Sequence, residues 1–198
     1  MIFIYANNYL QNVNAISPVS NFESAEYFRK DVEILVLDTK KQEVAQMTLT
    51  QKEQSLLKDL KLQEELCIEK YTKYESEACD PALKTLFSNI KTTEQNHLGT
   101  LNRIMQGEEV TTSAAPTAVS AKLSCTPSSC SADLKSRDAF LCKDALTMEK
   151  HVSSLYDTCI FEFTSPTLRD TLNHIQKEEQ NHGEQLYEYM KCNNMYSG

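Results

Sequence analysis

Glu94-Gln95-Asn96-His97 returns as Glu179-Gln180-Asn181-His182, 85 residues further along the chain. Sliding the sequence onto itself by that offset needs no gap over about fifty positions. Glu64 then falls on Glu149, Tyr71 on Tyr156, Pro81 on Pro166, Leu83 on Leu168, Ile90 on Ile175, Leu101 on Leu186 and Met105 on Met190. An internal repeat sets the architecture before local propensity is consulted. The chain reads as one two-helix unit used twice, with its acidic and imidazole groups at equivalent places.

The spacing predicts where the helices lie. Thr50 and Glu53 form a capping box for a first helix. Leu57, Leu60, Glu64, Cys67, Tyr71, Tyr74 and Ala78 then step by alternating three and four residues, the seam spacing of a packed bundle. Asp80-Pro81 supplies an N-cap and a first-turn proline for a second helix. Its seam is Leu83, Phe87, Ile90, Glu94, His97, Leu101 and Ile104, and Gly107 is its stop. A third helix carries Cys142, Ala145, Glu149, Val152, Tyr156, Cys159 and Phe163. Ser165-Pro166 restarts the chain for a fourth, with Leu168, Leu172, Ile175, Glu179, His182, Leu186 and Tyr189 on its seam.

The predicted organisation is an all-α four-helix bundle: a helical hairpin over 47–106, a Thr/Ser/Ala/Pro-rich crossover linker over 107–137, and a second hairpin over 138–192. The linker is long enough to cross the length of a bundle. Residues 1–46 have no copy in the repeat and read as an extension without order of its own or a start assigned too early. Val32–Leu37 is at most a lone short strand. Gln42-Glu43-Val44 can be encoded so as to contain a ribosome-binding sequence shortly before the Met47 codon, which makes Met47 the expected start.

Composition excludes several classes. At 198 residues the chain can hold one domain with a proper core, and four glycines with no tryptophan suit helices. A net charge of −8 with no Lys/Arg cluster argues against nucleic acid as a partner. No apolar run approaches the roughly 20 residues of a membrane span. Met1–Tyr5 is too short for a signal-peptide core, so export by the general secretion route is not expected. Seven cysteines are many, yet no Cys-x-x-Cys pair exists, which counts against a zinc ribbon or rubredoxin-type iron site. Cys125 and Cys130 fall in the linker, and Cys67, Cys142 and Cys159 read as small apolar seam residues.

The seam residues that carry chemistry are Glu64, Glu94, Glu149 and Glu179. Burying an ionised carboxylate without a partner costs several kcal/mol, and four in one core repel one another. No seam position is Lys or Arg, so a cation is required; two divalent ions bring the charge to neutrality. A Glu and a His three apart share a helix face. One carboxylate from each of two helices plus a Glu-x-x-His pair from each of the others is the ligand set of carboxylate-bridged di-iron or di-manganese sites. Glu64 and Glu149 are then the single ligands, Glu94 and Glu179 the bridges, and His97 and His182 one ligand each. This donor set suits iron or manganese better than zinc or copper. Tyr71 and Tyr156, two turns beyond the single glutamates, either pack the core or hydrogen-bond a ligand carboxylate. Glu65 is off the seam, and its counterpart is Lys150. His151 and His174 read as surface or satisfied core residues.

Four helices, two tight turns and one crossover over residues 48–192 resemble the ferritin-like superfamily. Within that resemblance Glu178 would orient His97, whereas the equivalent Thr93 departs from the pattern and leaves two unequal half-sites. Ile68-Glu69-Lys70-Tyr71, Glu77-Ala78-Cys79-Asp80-Pro81, Tyr156-Asp157-Thr158 and Leu172–Glu179 further resemble the Coat F-type spore coat proteins. That resemblance implies a protein made in the mother-cell cytoplasm and deposited on the spore, with other coat proteins or further copies of itself as partners. Cysteines and tyrosines are compatible with cross-linking in a coat.

Two functions follow as expectations. One is a structural coat protein that keeps its bundle and metal site for stability. The other is a peroxidase or oxidase acting on hydrogen peroxide or oxygen. A complete rubrerythrin is disfavoured by the missing rubredoxin-like site, and iron storage by the lack of cage-forming surfaces. A manganese catalase would need no electron donor.

Overall fold

The computed structural model describes residues 48–108, 110 and 126–196, all within the unit Gln46–Gly198. The readings made for residues 1–46, for the Met47 start, for Cys125 and for most of the linker lie outside the described residues. Four α-helices make up the ordered structure: α1 (Gln51–Glu77), α2 (Pro81–Met105), α3 (Ala132–Glu162) and α4 (Pro166–Cys192). Helix α1 packs along α2 and α3 along α4, and the two pairs meet through α1–α3 and α2–α4 contacts. The architecture is an all-α four-helix bundle, and there is no strand among the described residues.

Local chemistry sets each boundary. The Glu53 N–H donates to Thr50 Oγ1 (3.2 Å) and Thr50 N–H to Glu53 Oε2 (2.7 Å), closing the capping box that opens α1. Asp80 Oδ1 accepts the Ala82 N–H at 2.9 Å ahead of Pro81. Beyond α2, Gly107 takes φ = 81°, a left-handed conformation that a side chain would disfavour. Ser165 Oγ accepts the Leu168 N–H at 3.4 Å at the start of α4.

Every seam residue expected from the spacing is buried, from Leu57 to Ala78 on α1 and from Leu168 to Tyr189 on α4. Each buried Leu, Ile or Phe contributes about 1.5–3 kcal/mol relative to exposure. That gain, summed over four stripes, lets the core tolerate the polar groups described below.

Three features depart from the sequence reading. First, α3 starts at Ala132, inside the stretch read as linker. Its opening turns are rich in Ser, Asp and Lys and so resemble loop, but Asp133 suits a helix N-terminus. Asp138 is also fully buried: its carboxylate accepts the N–H groups of Cys79 (2.8 Å) and Asp80 (3.0 Å) in the α1–α2 turn. Second, Cys79 is joined to Cys130 by a disulfide across 51 positions, and Cys192 is disulfide-bonded as well. Cysteine spacing gave no hint of this, because only the folded chain brings the turn and the end of the crossover together. Cys67, Cys142 and Cys159 are free and buried, as apolar seam residues should be.

Third, Glu53 reaches outside its own helix. Its Oε1 accepts both the N–H (2.8 Å) and the hydroxyl (3.0 Å) of Thr164 in the α3–α4 turn. Asp138 sits 85 residues after Glu53 and serves the other turn. The crossover touches both ends of α4: the Thr171 hydroxyl donates to the Val110 carbonyl (2.9 Å), and the Ser128 N–H to Asn193 Oδ1 (2.8 Å). Twenty-two residues of helix separate those contacts, roughly 33 Å of rise.

Candidate metal centre

All six acidic and imidazole residues singled out from the sequence meet in the middle of the bundle. Glu64, Glu94, His97, Glu149, Glu179 and His182 are each at most 3 % exposed. They form two interlocking groups: Glu64, Glu94, His97 and Glu179 offer ligand atoms all within 4.8 Å of one another, and so do Glu94, Glu149, Glu179 and His182. Glu94 and Glu179 belong to both.

The helix pairs explain this geometry. On α2 and α4 the three-residue step from Glu to His keeps both side chains on the inward face. On α1 and α3 the single glutamates face them at the same height. His97 Nδ1 lies 3.1 Å from Glu94 Oε2, 3.0 Å from Glu179 Oε1 and 3.8 Å from Glu64 Oε2. His182 Nδ1 lies 3.1 Å from Glu94 Oε1, 3.3 Å from Glu149 Oε2 and 3.9 Å from Glu179 Oε2. The two imidazoles stack with centroids 5.9 Å apart.

The outward-facing oxygens of Glu64 and Glu149, and Nε2 of His97, are satisfied by protein. The Tyr71 hydroxyl donates to Glu149 Oε1, and the Tyr156 hydroxyl to Glu64 Oε1. Each phenol thus crosses from one helix pair to the other. Glu178 Oε2 holds His97 Nε2 at 2.9 Å. The inward-facing atoms are not satisfied: Glu64 Oε2, Glu94 Oε1, Glu149 Oε2, both oxygens of Glu179 and His182 Nδ1 have no hydrogen-bond partner. Buried polar atoms in that state cost about 1–3 kcal/mol each, more when charged. Among the described residues no Lys or Arg pairs with any of the four carboxylates.

Electrostatics of the bare cluster register the same strain. Burial, reinforced by the neighbouring Glu94 charge, pushes Glu64 well above the usual carboxylate range and Glu179 up to about 8. Burial acts on Glu94 too, but the two imidazoles beside it, His182 and His97, outweigh it and hold that carboxyl low. Burial would depress both imidazoles; the surrounding carboxylates win and raise His97 well above its ordinary value and His182 to about 10. The donor set fits two divalent ions of the iron or manganese kind: four carboxylates, two imidazole Nδ1 atoms and matching positive charge.

The other residues weighed from the sequence fall elsewhere. Glu65 is exposed beside Lys61 at 3.9 Å, and His151 is exposed. His174 is half-buried with its Nε2 3.6 Å from Glu178 Oε2. Sequence reading gave Glu53 only its capping role and missed Asp138; two acidic residues one repeat apart were the signal to look for. No described helix is long and apolar enough to cross a membrane.

No curated protein and no solved structure matches the chain. A family model does: residues 137–197, which span nearly all of α3 and α4 with Glu149, Glu178, Glu179 and His182, match the Coat F domain. Residues 137–197 are thus similar to the Coat F domain, the spore-coat family that the motifs resemble.

Proposed function

We propose that this is a spore coat protein whose bundle is ferritin-like and holds two divalent metal ions, iron or manganese, at Glu64, Glu94, His97, Glu149, Glu179 and His182. One observation carries the metal reading. Of the oxygens that face the centre of the cluster, all but Glu94 Oε2 are left without a partner, while those of Glu64 and Glu149 that face away are taken by Tyr156 and Tyr71. A core that satisfies only its outward half is built around something cationic. The Coat F match supports the coat assignment, with other coat proteins or further copies of the chain as partners.

Within this reading Glu94 and Glu179 would be shared by both ions, Glu64 and Glu149 would each hold one, and the two histidines would complete the set. Iron or manganese there supplies redox chemistry towards hydrogen peroxide or oxygen. A peroxidase, oxidase or catalase-like enzyme draws on the same residues, so turnover separates the two functions. The test is the metal content of the purified protein and its peroxide consumption, beside Glu94→Ala and His97→Ala. Two ions per chain without turnover supports a structural coat role. Turnover that both variants abolish makes the protein an enzyme, and wild-type protein that retains no added metal refutes the site. Immunolocalisation during sporulation checks the coat placement.

A further inference from the structure

The two halves of the cluster match in their inward atoms and differ behind the imidazoles. His97 Nε2 is held at 2.9 Å by Glu178 Oε2, and His174 Nε2 flanks the same oxygen at 3.6 Å. His182 has no such support: among the described residues its Nε2 makes no hydrogen bond or ion pair. The position one repeat before Glu178 is Thr93, whose hydroxyl donates to the Asn89 carbonyl of its own helix at 3.4 Å. His174 is likewise replaced by Asn89.

We propose that Glu178 makes the two metal positions unequal, so that the ion bound by Glu64, Glu94, His97 and Glu179 is held more tightly and fills first. The inference rests on the metal reading above and assigns Glu178 as a positioning residue. A carboxylate on Nε2 requires the proton to sit there, which leaves the Nδ1 lone pair free for a metal. It also fixes the ring plane and makes the imidazole a stronger donor. His182 must choose its tautomer and orientation when the ion arrives. Losing a partner of this kind typically costs 10–100-fold in metal affinity, and a gap of that order between the two positions is expected.

The experiment is an anaerobic titration of metal-free full-length protein with Co²⁺ alone, followed by visible absorption and calorimetry. Two steps of one ion each are expected, separated by about 10–100-fold. Glu178→Gln, at a partly exposed position, should weaken the first step by about that factor and bring the two together. Thr93→Glu, which supplies the absent carboxylate, should tighten the second step and leave the first unchanged. Circular dichroism confirms that each variant is folded. Two ions entering in one indistinguishable step, or Glu178→Gln weakening both steps equally, overturns the inequality while leaving the metal site standing. Protein that binds no Co²⁺ overturns the metal reading and this inference with it.

Discussion

The Tyr71 hydroxyl on α1 donates to Glu149 on α3, and 85 residues along the chain Tyr156 returns the same bond to Glu64. The two phenols lock the single-carboxylate helices together and aim the remaining oxygen of each glutamate inward. Both hydroxyls sit at fully buried positions, and burial raises their pKa well above the usual phenol value. Each therefore donates, and stays protonated, across the working pH range.

Tyr71→Phe or Tyr156→Phe should leave the bundle folded but strand a buried carboxylate oxygen. The expected loss is about 1–3 kcal/mol of stability and 10–100-fold in affinity for the adjoining ion. Thermal melts and metal titration of each variant measure the two effects. Unchanged affinity in both would mean that the phenols only pack.

Metal-free protein should melt below the loaded protein, because an ion bound only by the folded state stabilises it by mass action. Glu179→Leu separates repulsion from ligation. In the metal-free state it removes a buried carboxylate from the middle of the cluster, so its melting temperature should exceed that of metal-free wild type. With metal present the order should reverse, since the variant lacks a shared ligand. Differential scanning calorimetry with and without chelator gives all four values.

Glu53 provides a pH test away from the central cluster of carboxylates and imidazoles. Burial works to raise its carboxyl, yet hydrogen bonds from Thr164 and Thr50 prevail and hold it below its ordinary value of 4.5. The depressed value means that the unfolded chain takes up the proton more readily than the folded one. Its contribution to stability is complete above pH 4.5 and is lost as the pH falls through the folded value. Glu53→Gln should cost about 1–2 kcal/mol at pH 7 and flatten the acid limb of a stability–pH curve. Urea melts between pH 3 and pH 7 provide that curve; an unaltered acid limb would show that the Thr164 contact contributes nothing.

The Cys79–Cys130 disulfide closes a loop across 51 positions, which the chain-entropy relation values at roughly 4 kcal/mol. Cys130→Ser should therefore lower the denaturation midpoint by an amount equivalent to about 2–4 kcal/mol. Because Asp138 still caps the Cys79 and Asp80 N–H groups, the α1–α2 turn should keep its shape and metal stoichiometry should not change. Guanidinium melts and metal analysis of that variant check both statements.

The sequence alone determined the four stripes and the six residues on them that carry charge or imidazole. Helical periodicity is local: a residue three or four positions from a buried leucine faces the same way, whatever the rest of the chain does. Glu94 and His97 were therefore legible as inward-facing before any helix was placed beside another. The 85-residue offset added Glu64 and Glu149, since matching positions in a repeat take matching environments.

Tertiary structure alone decided which atoms of those residues are answered and which are left over. That Tyr71 serves the glutamate of the other helix pair depends on how α1 meets α3; the support of His97 by Glu178, expected from the resemblance, takes its 2.9 Å geometry from how α2 meets α4. The same holds for Asp138 under the first turn, Glu53 under the second, and the bond between Cys79 and Cys130. Each joins positions more than fifty residues apart. No periodicity links such positions, because their distance is fixed only when the whole chain closes on itself.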